Sequence, residues 1–245
     1  MTMRCFIALE VPEDLQEALG RIQAKLRPSG ADVKWAAPQT IHLTVKFLGD
    51  VRNEDVPGAC DAMTAAALSA RPMELSIRGL GTFPPGGAPR VVWAGLAGDV
   101  EPLAKLVAGL EQGIADAVGI APEARPFHPH LTLGRVRSTR GADRLRSALD
   151  AAGPADAGAF TADELVDMHS WSAIGSSVIA RPLNAAKAIQ FGITDAGKSR
   201  RQPRDFVHDL GRVGVVHGIA QRIAQHLRDF PVRIDSQGLY GLAHR

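Results

Sequence analysis

Long apolar runs are missing from this chain. No stretch reaches the roughly 18–20 residues that a membrane-spanning helix needs, so no membrane partner is expected. Cysteine is scarce as well: only Cys5 and Cys60 occur, far apart and in no metal-type spacing. Cys5 falls in an apolar strand and is expected as a small buried hydrophobe. The opening Met1–Glu10 segment lacks the long apolar core and cleavage site of a signal peptide. A reducing cytoplasm is therefore the expected location. A Walker-type glycine loop is absent, and Gly79-Leu80-Gly81 is not followed by the pattern a dinucleotide fingerprint requires. With no nucleotidyl-transfer lysine motif either, an energised ligase is unsupported.

Charge of one sign is not in excess overall, with 28 Lys+Arg against 26 Asp+Glu. Its distribution is uneven. Residues 1–183 carry 18 Lys+Arg and 21 Asp+Glu, a net −3, whereas residues 184–245 carry 10 and 5, a net +5. The first part therefore has no large basic face of the kind a general nucleic-acid binder shows. The second part has no Glu, against 9 in the first 183 residues. Its Lys198–Arg204 stretch is basic and linker-like. Val216, Ile219, Ile223, Leu227 and Phe230 keep roughly helical spacing, so a basic amphipathic helix and a disordered appendage both remain open. Residues 1–183 and 184–245 are thus read as a globular domain and a basic C-terminal extension.

What is present is enough for a core: 245 residues with a hydrophobic fraction of 45%. That length fits one domain of about 180–200 residues or two small lobes. Arg4–Leu9 reads as a strand. Pro12-Glu13-Asp14 opens a helix, with Leu15, Leu19, Ile22 and Leu26 at helical spacing. Strands are expected at Val33–Trp35, Ile41–Leu48, Glu74–Leu80, Arg90–Leu96, Phe127–Arg135, Phe160–Ser170 and Ser176–Leu183. Gly49-Asp50 is expected to close the second of these, and a turn at 173–175 to join the last two. Helices are expected at Asp55–Ala70, Val100–Val118 and Arg144–Ala152. The order is strand–helix–strand, given twice, so the fold class is α+β: two pseudo-symmetric lobes whose antiparallel sheets face a central cleft, with helices outside.

Two short motifs carry the chemistry. Ile41-His42-Leu43-Thr44-Val45 and Pro129-His130-Leu131-Thr132-Leu133 are near-copies 88 residues apart. In a strand, residues two apart share a face, so each His stands beside its Thr while Leu turns to the core. Two such strands facing each other would bring two imidazoles and two hydroxyls into one cleft. Imidazole titrates near neutrality and serves as acid or base. Hydroxyls can donate to phosphate oxygens where charge builds. Arg135 is either a bidentate phosphate donor or a surface residue. Lys46, by strict alternation, shares the His42 face as a phosphate contact or a solvated strand end. Phe127 and Trp35 either stack on a base or pack in the core. His128 and His130 lie two apart, but no Asp or Glu sits in the same strand to complete a metal site.

The paired motifs, together with Lys46-Phe47-Leu48-Gly49, Gly134-Arg135, the opening Arg4–Leu9 and Trp35, resemble the two-histidine phosphoesterase superfamily. Within it, the resemblance is to the RNA 2′,3′-cyclic phosphodiesterases, historically called 2′-5′ RNA ligases, and it spans about residues 3–183. It implies hydrolysis of a terminal 2′,3′-cyclic phosphate on RNA to a 2′-phosphomonoester, with His42 as proton donor and His130 as proton acceptor. Thr44, Thr132 and Arg135 are, from their chemistry and position, the expected substrate contacts. No metal and no cofactor are expected, the partners are RNA ends or small nucleotides, and a monomer is expected. Three alternatives stay open: cleavage or reversible ligation of 2′-5′ linkages, hydrolysis of a small cyclic nucleotide, and a non-catalytic RNA-end binding module.

Overall fold

The computed structural model describes residues 2–153, 155–171, 175–183, 233–234 and 240–241. The chain divides into two compact units, Met1–Asn184 and Ala185–Arg245. In the second, the described residues form one short antiparallel pair, Arg233–Ile234 with Tyr240–Gly241. The helical spacing read over 216–230 lies outside the described residues, as does the turn expected before Gly175.

The first unit runs β1 (Thr2–Glu10), α1 (Glu13–Leu26), β2 (Val33–Trp35), β3 (His42–Arg52), α2 (Val56–Ser69), β4 (Met73–Phe83), β5 (Val91–Gly98), α3 (Val100–Val118), β6 (His130–Val136), α4 (Ala142–Ala152), β7 (Asp156–Ala162), β8 (Glu164–Trp171) and β9 (Gly175–Pro182). The strands form a four-stranded sheet in the order β3-β1-β8-β9 and a five-stranded sheet in the order β2-β6-β5-β4-β7. Every pairing is antiparallel. The α+β reading holds, with one sheet per motif.

The sheets are not sequence halves. The four-stranded sheet takes β1 and β3 from the start of the unit and β8 and β9 from its end. The five-stranded sheet takes β2 from between β1 and β3. Helices exchange in the same way: α1 follows a strand of the first sheet yet packs on β7 and α4, whereas α3 follows β5 yet packs on β3 as well as β4. The single strand expected over Phe160–Ser170 is therefore two. The chain leaves one sheet at Ala162 and enters the other at Glu164, pivoting at Asp163, whose carbonyl accepts a hydrogen bond from Leu183 N at 2.6 Å.

Local chemistry explains the elements. Glu13 and Asp14 lie in the first turn of α1, where acidic groups complement the helix dipole. Leu15, Leu19 and Leu26 bury one face, each such burial stabilising by about 1.5–3 kcal/mol. Gln23, on that face, is also buried; its amide donates to the Ala36 carbonyl at 2.9 Å and the Leu133 carbonyl at 2.8 Å. One helix side chain thereby fixes the segment after β2 against the second motif strand. Leu9, Leu43, Leu103, Leu110, Ile114, Leu131 and Leu133 are fully buried in a single core. Among the described residues, no helix is long and apolar enough to cross a membrane.

Candidate active site

β3 and β6 lie in contact, so the two motifs meet where the sheets approach each other. The first six residues of each strand show one burial sequence: half-buried His, buried Leu, half-buried Thr, two buried residues, then an exposed one. Strict alternation would give a different fifth and sixth residue. Each strand carries a one-residue register shift just past its Thr, and such a bulge moves the following side chains to the other face.

The ladders show where those side chains go. On β1, Glu10, Ala8 and Phe6 alternate onto one face and pair with His42, Thr44 and Phe47. On β5, Gly95, Trp93 and Val91 do the same and pair with His130, Thr132 and Arg135. Directly paired residues share a face. The His–Thr face therefore extends to Phe47 in one lobe and to Arg135 in the other. Thr44, Thr132 and Arg135 all stand on the faces that carry the histidines.

Lys46 does not. The bulge turns it to the opposite face, where it is 2% exposed. Its Nζ lies 3.4 Å from Glu111 Oε1 on α3 and donates to the Ala121 carbonyl at 3.0 Å. Glu111 Oε1 also accepts from Glu123 N at 3.3 Å. The lysine thus ties the first motif strand to the segment that leads into the second, and it is neither a phosphate contact nor a solvated strand end. The equivalent position in β6 is Gly134, where a Cβ would come within 2.7 Å of Val33 Cγ1; β2 fills that space.

The two imidazoles are anchored alike. His42 Nδ1 lies 2.9 Å from the Thr40 carbonyl, and His130 Nδ1 lies 2.7 Å from the His128 carbonyl. A carbonyl only accepts, so Nδ1 carries the proton and donates in both cases. Nε2 is left as the titrating nitrogen of each ring.

Their surroundings differ. Phe6 stacks on His42 with centroids 4.9 Å apart and planes at 24°. Phe83 meets His130 edge-on at 4.9 Å and 86°. Phe83, Trp93 and His128 form a cluster with pairwise centroid distances of 5.3 Å. Burial pushes the His42 imidazole below its ordinary value, while the Thr40 carbonyl and the Glu10 carboxylate pull it back up. Burial lowers His130 too; the His128 carbonyl opposes this, but the charges of His128 and Arg135 add to the lowering.

Sequence reasoning missed Glu10, Phe6, Phe83 and Trp93 at this site, because each arrives by strand pairing or packing rather than by motif. Trp35 and Phe127, by contrast, are half-buried and packed against the core; Trp35 also lies under the Arg27 guanidinium, 5.5 Å from its ring centre. An open cavity of about 450 Å3 adjoins the first motif, lined in part by Glu10, Glu13, Gln16, Gln39, Asp163 and Glu164. Neither motif histidine lines it, so the motif strands define the candidate reaction site. Among the described residues, no group of three or more His, Cys, Asp or Glu side chains is arranged to hold a metal ion.

A family model described as LigT like phosphoesterase matches residues 9–93 and 97–175. The chain is 36% identical over 145 residues to an RNA 2′,3′-cyclic phosphodiesterase of Methanothermobacter thermautotrophicus, covering 59% of this chain and 77% of that protein. It is 35% identical over 141 residues to the RNA 2′,3′-cyclic phosphodiesterase of Thermus thermophilus, covering 56% and 70%. Among solved structures, a Thermus thermophilus protein designated TT0787 superposes with a TM-score of 0.59 at 27% identity, covering 75% of this chain and 99% of that one. E. coli LigT complexed with 3′-AMP superposes with a TM-score of 0.55 at 25% identity, covering 75% and 97%.

Proposed function

Because this chain belongs to the LigT-like phosphoesterase family, we propose that it hydrolyses the terminal 2′,3′-cyclic phosphate of RNA to a 2′-phosphomonoester. The observation that carries the reading is the twinned anchoring of His42 and His130, each with Nδ1 bonded to a carbonyl two residues back and Nε2 left to titrate. Relatives named RNA 2′,3′-cyclic phosphodiesterase support the substrate class.

The reaction needs two proton movements on opposite sides of phosphorus. His130, neutral, takes a proton from water at Nε2 as the water oxygen bonds to phosphorus. The bond from phosphorus to the 3′-oxygen breaks, and His42, protonated, delivers its Nε2 proton to that oxygen. The 2′-oxygen keeps the phosphate. Thr44 and Thr132 hydroxyls and the Arg135 guanidinium donate to the non-bridging oxygens, where negative charge builds. Both proton-transfer roles are filled by side chains, which supports a reaction needing no metal. Both motif strands come from one compact unit of one chain, which supports a monomeric enzyme. Residues 1–183 are proposed to carry the activity, and the basic residues 184–245 to add only electrostatic attraction for RNA. A cytoplasmic location completes the proposal.

The test is hydrolysis of a short RNA ending in 2′,3′-cyclic phosphate, in EDTA, followed by phosphorus NMR. The wild type is expected to yield a 2′-monophosphate, and His42→Ala and His130→Ala are expected to yield almost none. A 3′-monophosphate product, loss of activity in EDTA, or full turnover in either variant would sink the reading.

A further inference from the structure

We propose that Glu10 sets the direction of proton transfer in this cleft: its carboxylate stands across the ladder from His42, nothing equivalent stands opposite His130, and His42 is thereby kept as the proton donor. The inference rests on the reaction proposed above. It makes Glu10 a positioning residue that acts through His42 without touching the reacting atoms.

The argument starts from the ladder. Glu10 ends β1 and pairs with His42 at the start of β3, so their side chains leave the same face at the same level. The place opposite His130 is held by Gly95. No side chain fits there: a Cβ on Gly95 would come within 2.7 Å of the Arg78 carbonyl oxygen and 3.3 Å of the Trp93 ring. The indole of Trp93 occupies that side of the second motif. Two strands with the same burial sequence and the same bulge thus carry a carboxylate on one side and a sterically closed position on the other.

The remaining charged groups reinforce the difference. Glu13 at the start of α1, Asp163 at the crossover and Glu164 at the start of β8 line the same cavity as Glu10, and all share its sign. Lys46, on β3 itself, points to the other face against Glu111. Beside His130 stand His128 and Arg135, and both weigh against a positive charge there. Beside His42, Glu10 favours one. A carboxylate near an imidazole holds its proton on; cations near an imidazole drive its proton off. The donor of a proton must begin protonated and the acceptor must begin neutral, so this distribution favours His42 as donor and His130 as acceptor over the reverse.

Glu10 is exposed, so Glu10→Gln removes the charge while keeping shape and fold. The measurement is the NMR titration of both ring protons in the wild type, Glu10→Gln and Glu10→Asp, beside the pH profile of kcat. In Glu10→Gln the His42 midpoint is expected to fall by about half to one pH unit with the His130 midpoint unmoved, so turnover at about pH 8 drops about threefold to tenfold. The alkaline limb of the bell moves to lower pH, the acid limb stays, and KM is unchanged. Glu10→Asp, which keeps the charge, is expected to restore most of the His42 midpoint. An unmoved His42 midpoint in Glu10→Gln overturns the proposal, and so does an equal fall at both histidines. The titration needs no turnover, so a wild type that leaves the cyclic phosphate intact refutes the reaction separately from the charge effect.

Discussion

The two motif strands, β3 and β6, hold the same backbone device and opposite company. Each begins with a half-buried His whose Nδ1 is fixed to a carbonyl, continues through a buried Leu to a Thr, and then bulges. Around His42 stand a carboxylate across the ladder and the stacked ring of Phe6. Around His130 stand a glycine across the ladder, the edge of the Phe83 ring, and the charges of His128 and Arg135. Duplicate backbones supply two imidazoles held alike, each with Nε2 left to titrate. Unlike neighbours give the two rings different electrostatic surroundings, and under the proposed reaction these separate donor from acceptor.

The largest expected effect comes from removing either motif histidine. His42→Ala and His130→Ala should each lower kcat by about a thousandfold or more, with KM altered little, since general acid–base groups contribute about 10²–10⁴-fold. Equal losses would mean that both lobes act in the rate-limiting step. A loss confined to one would show that the comparison describes folding and not catalysis.

Next in size is a stability effect that belongs to one lobe alone. Lys46 is 2% exposed and tied to Glu111 and the Ala121 carbonyl. Removing one member of a buried ion pair is costly, and Glu111 is 16% exposed, which places the cost at the low end. Lys46→Met should therefore lose about 3 kcal/mol in urea unfolding. Substitution of Gly134 at the matching position of β6 should also destabilise, but by crowding Val33 rather than by stranding a charge.

Thr44→Val and Thr132→Val probe whether the two hydroxyls share the load. Each should cost about tenfold to a hundredfold in kcat at little cost in stability, measured with the cyclic-phosphate substrate. A clear difference between them would locate the developing charge nearer one lobe.

The smallest effect is on acid stability. Both histidines are held below their ordinary value by burial. Their unfolded forms take up protons near pH 6.5, before the folded forms do. Their contribution is therefore intact above about pH 6.5 and is lost as pH falls from there through each folded value. Replacing either with Gln should make unfolding less sensitive to acid over that window, as read by Tm at about pH 7 and about pH 5.

Much of this was legible in the chain itself. Val33–Trp35 and Val100–Val118 occur where their patterns predict, because short β-branched runs and a long amphipathic period are local signals. The shared face of each His and Thr was legible for the same reason. Bulges were not. They depend on how a partner strand is paired, and they send Lys46 inward and bring Arg135 to the His130 face. β3 likewise runs through Gly49 and Asp50, where a local reading expects a stop, because β1 pairs with it to Arg52. Glu10 reads as a strand terminus until its ladder partner is known. The break at Asp163 was hidden because the segments on both sides read as strand, and only their pairing partners show that the sheet changes.

That crossover also sets an order of assembly. A chain made from its N-terminus can complete the five-stranded sheet once Ala162 is available, since β7 is its last strand. The sheet that carries His42 must wait for β8 and β9, which end at Pro182. β1 thus lies without its second partner, β8, until nearly all of the first unit has been synthesised. The long sequence separation makes that closure intrinsically slow. A truncation just after Ala162 would therefore yield a chain with both histidines and one finished sheet, but with the edge of β1 open to pairing with another copy.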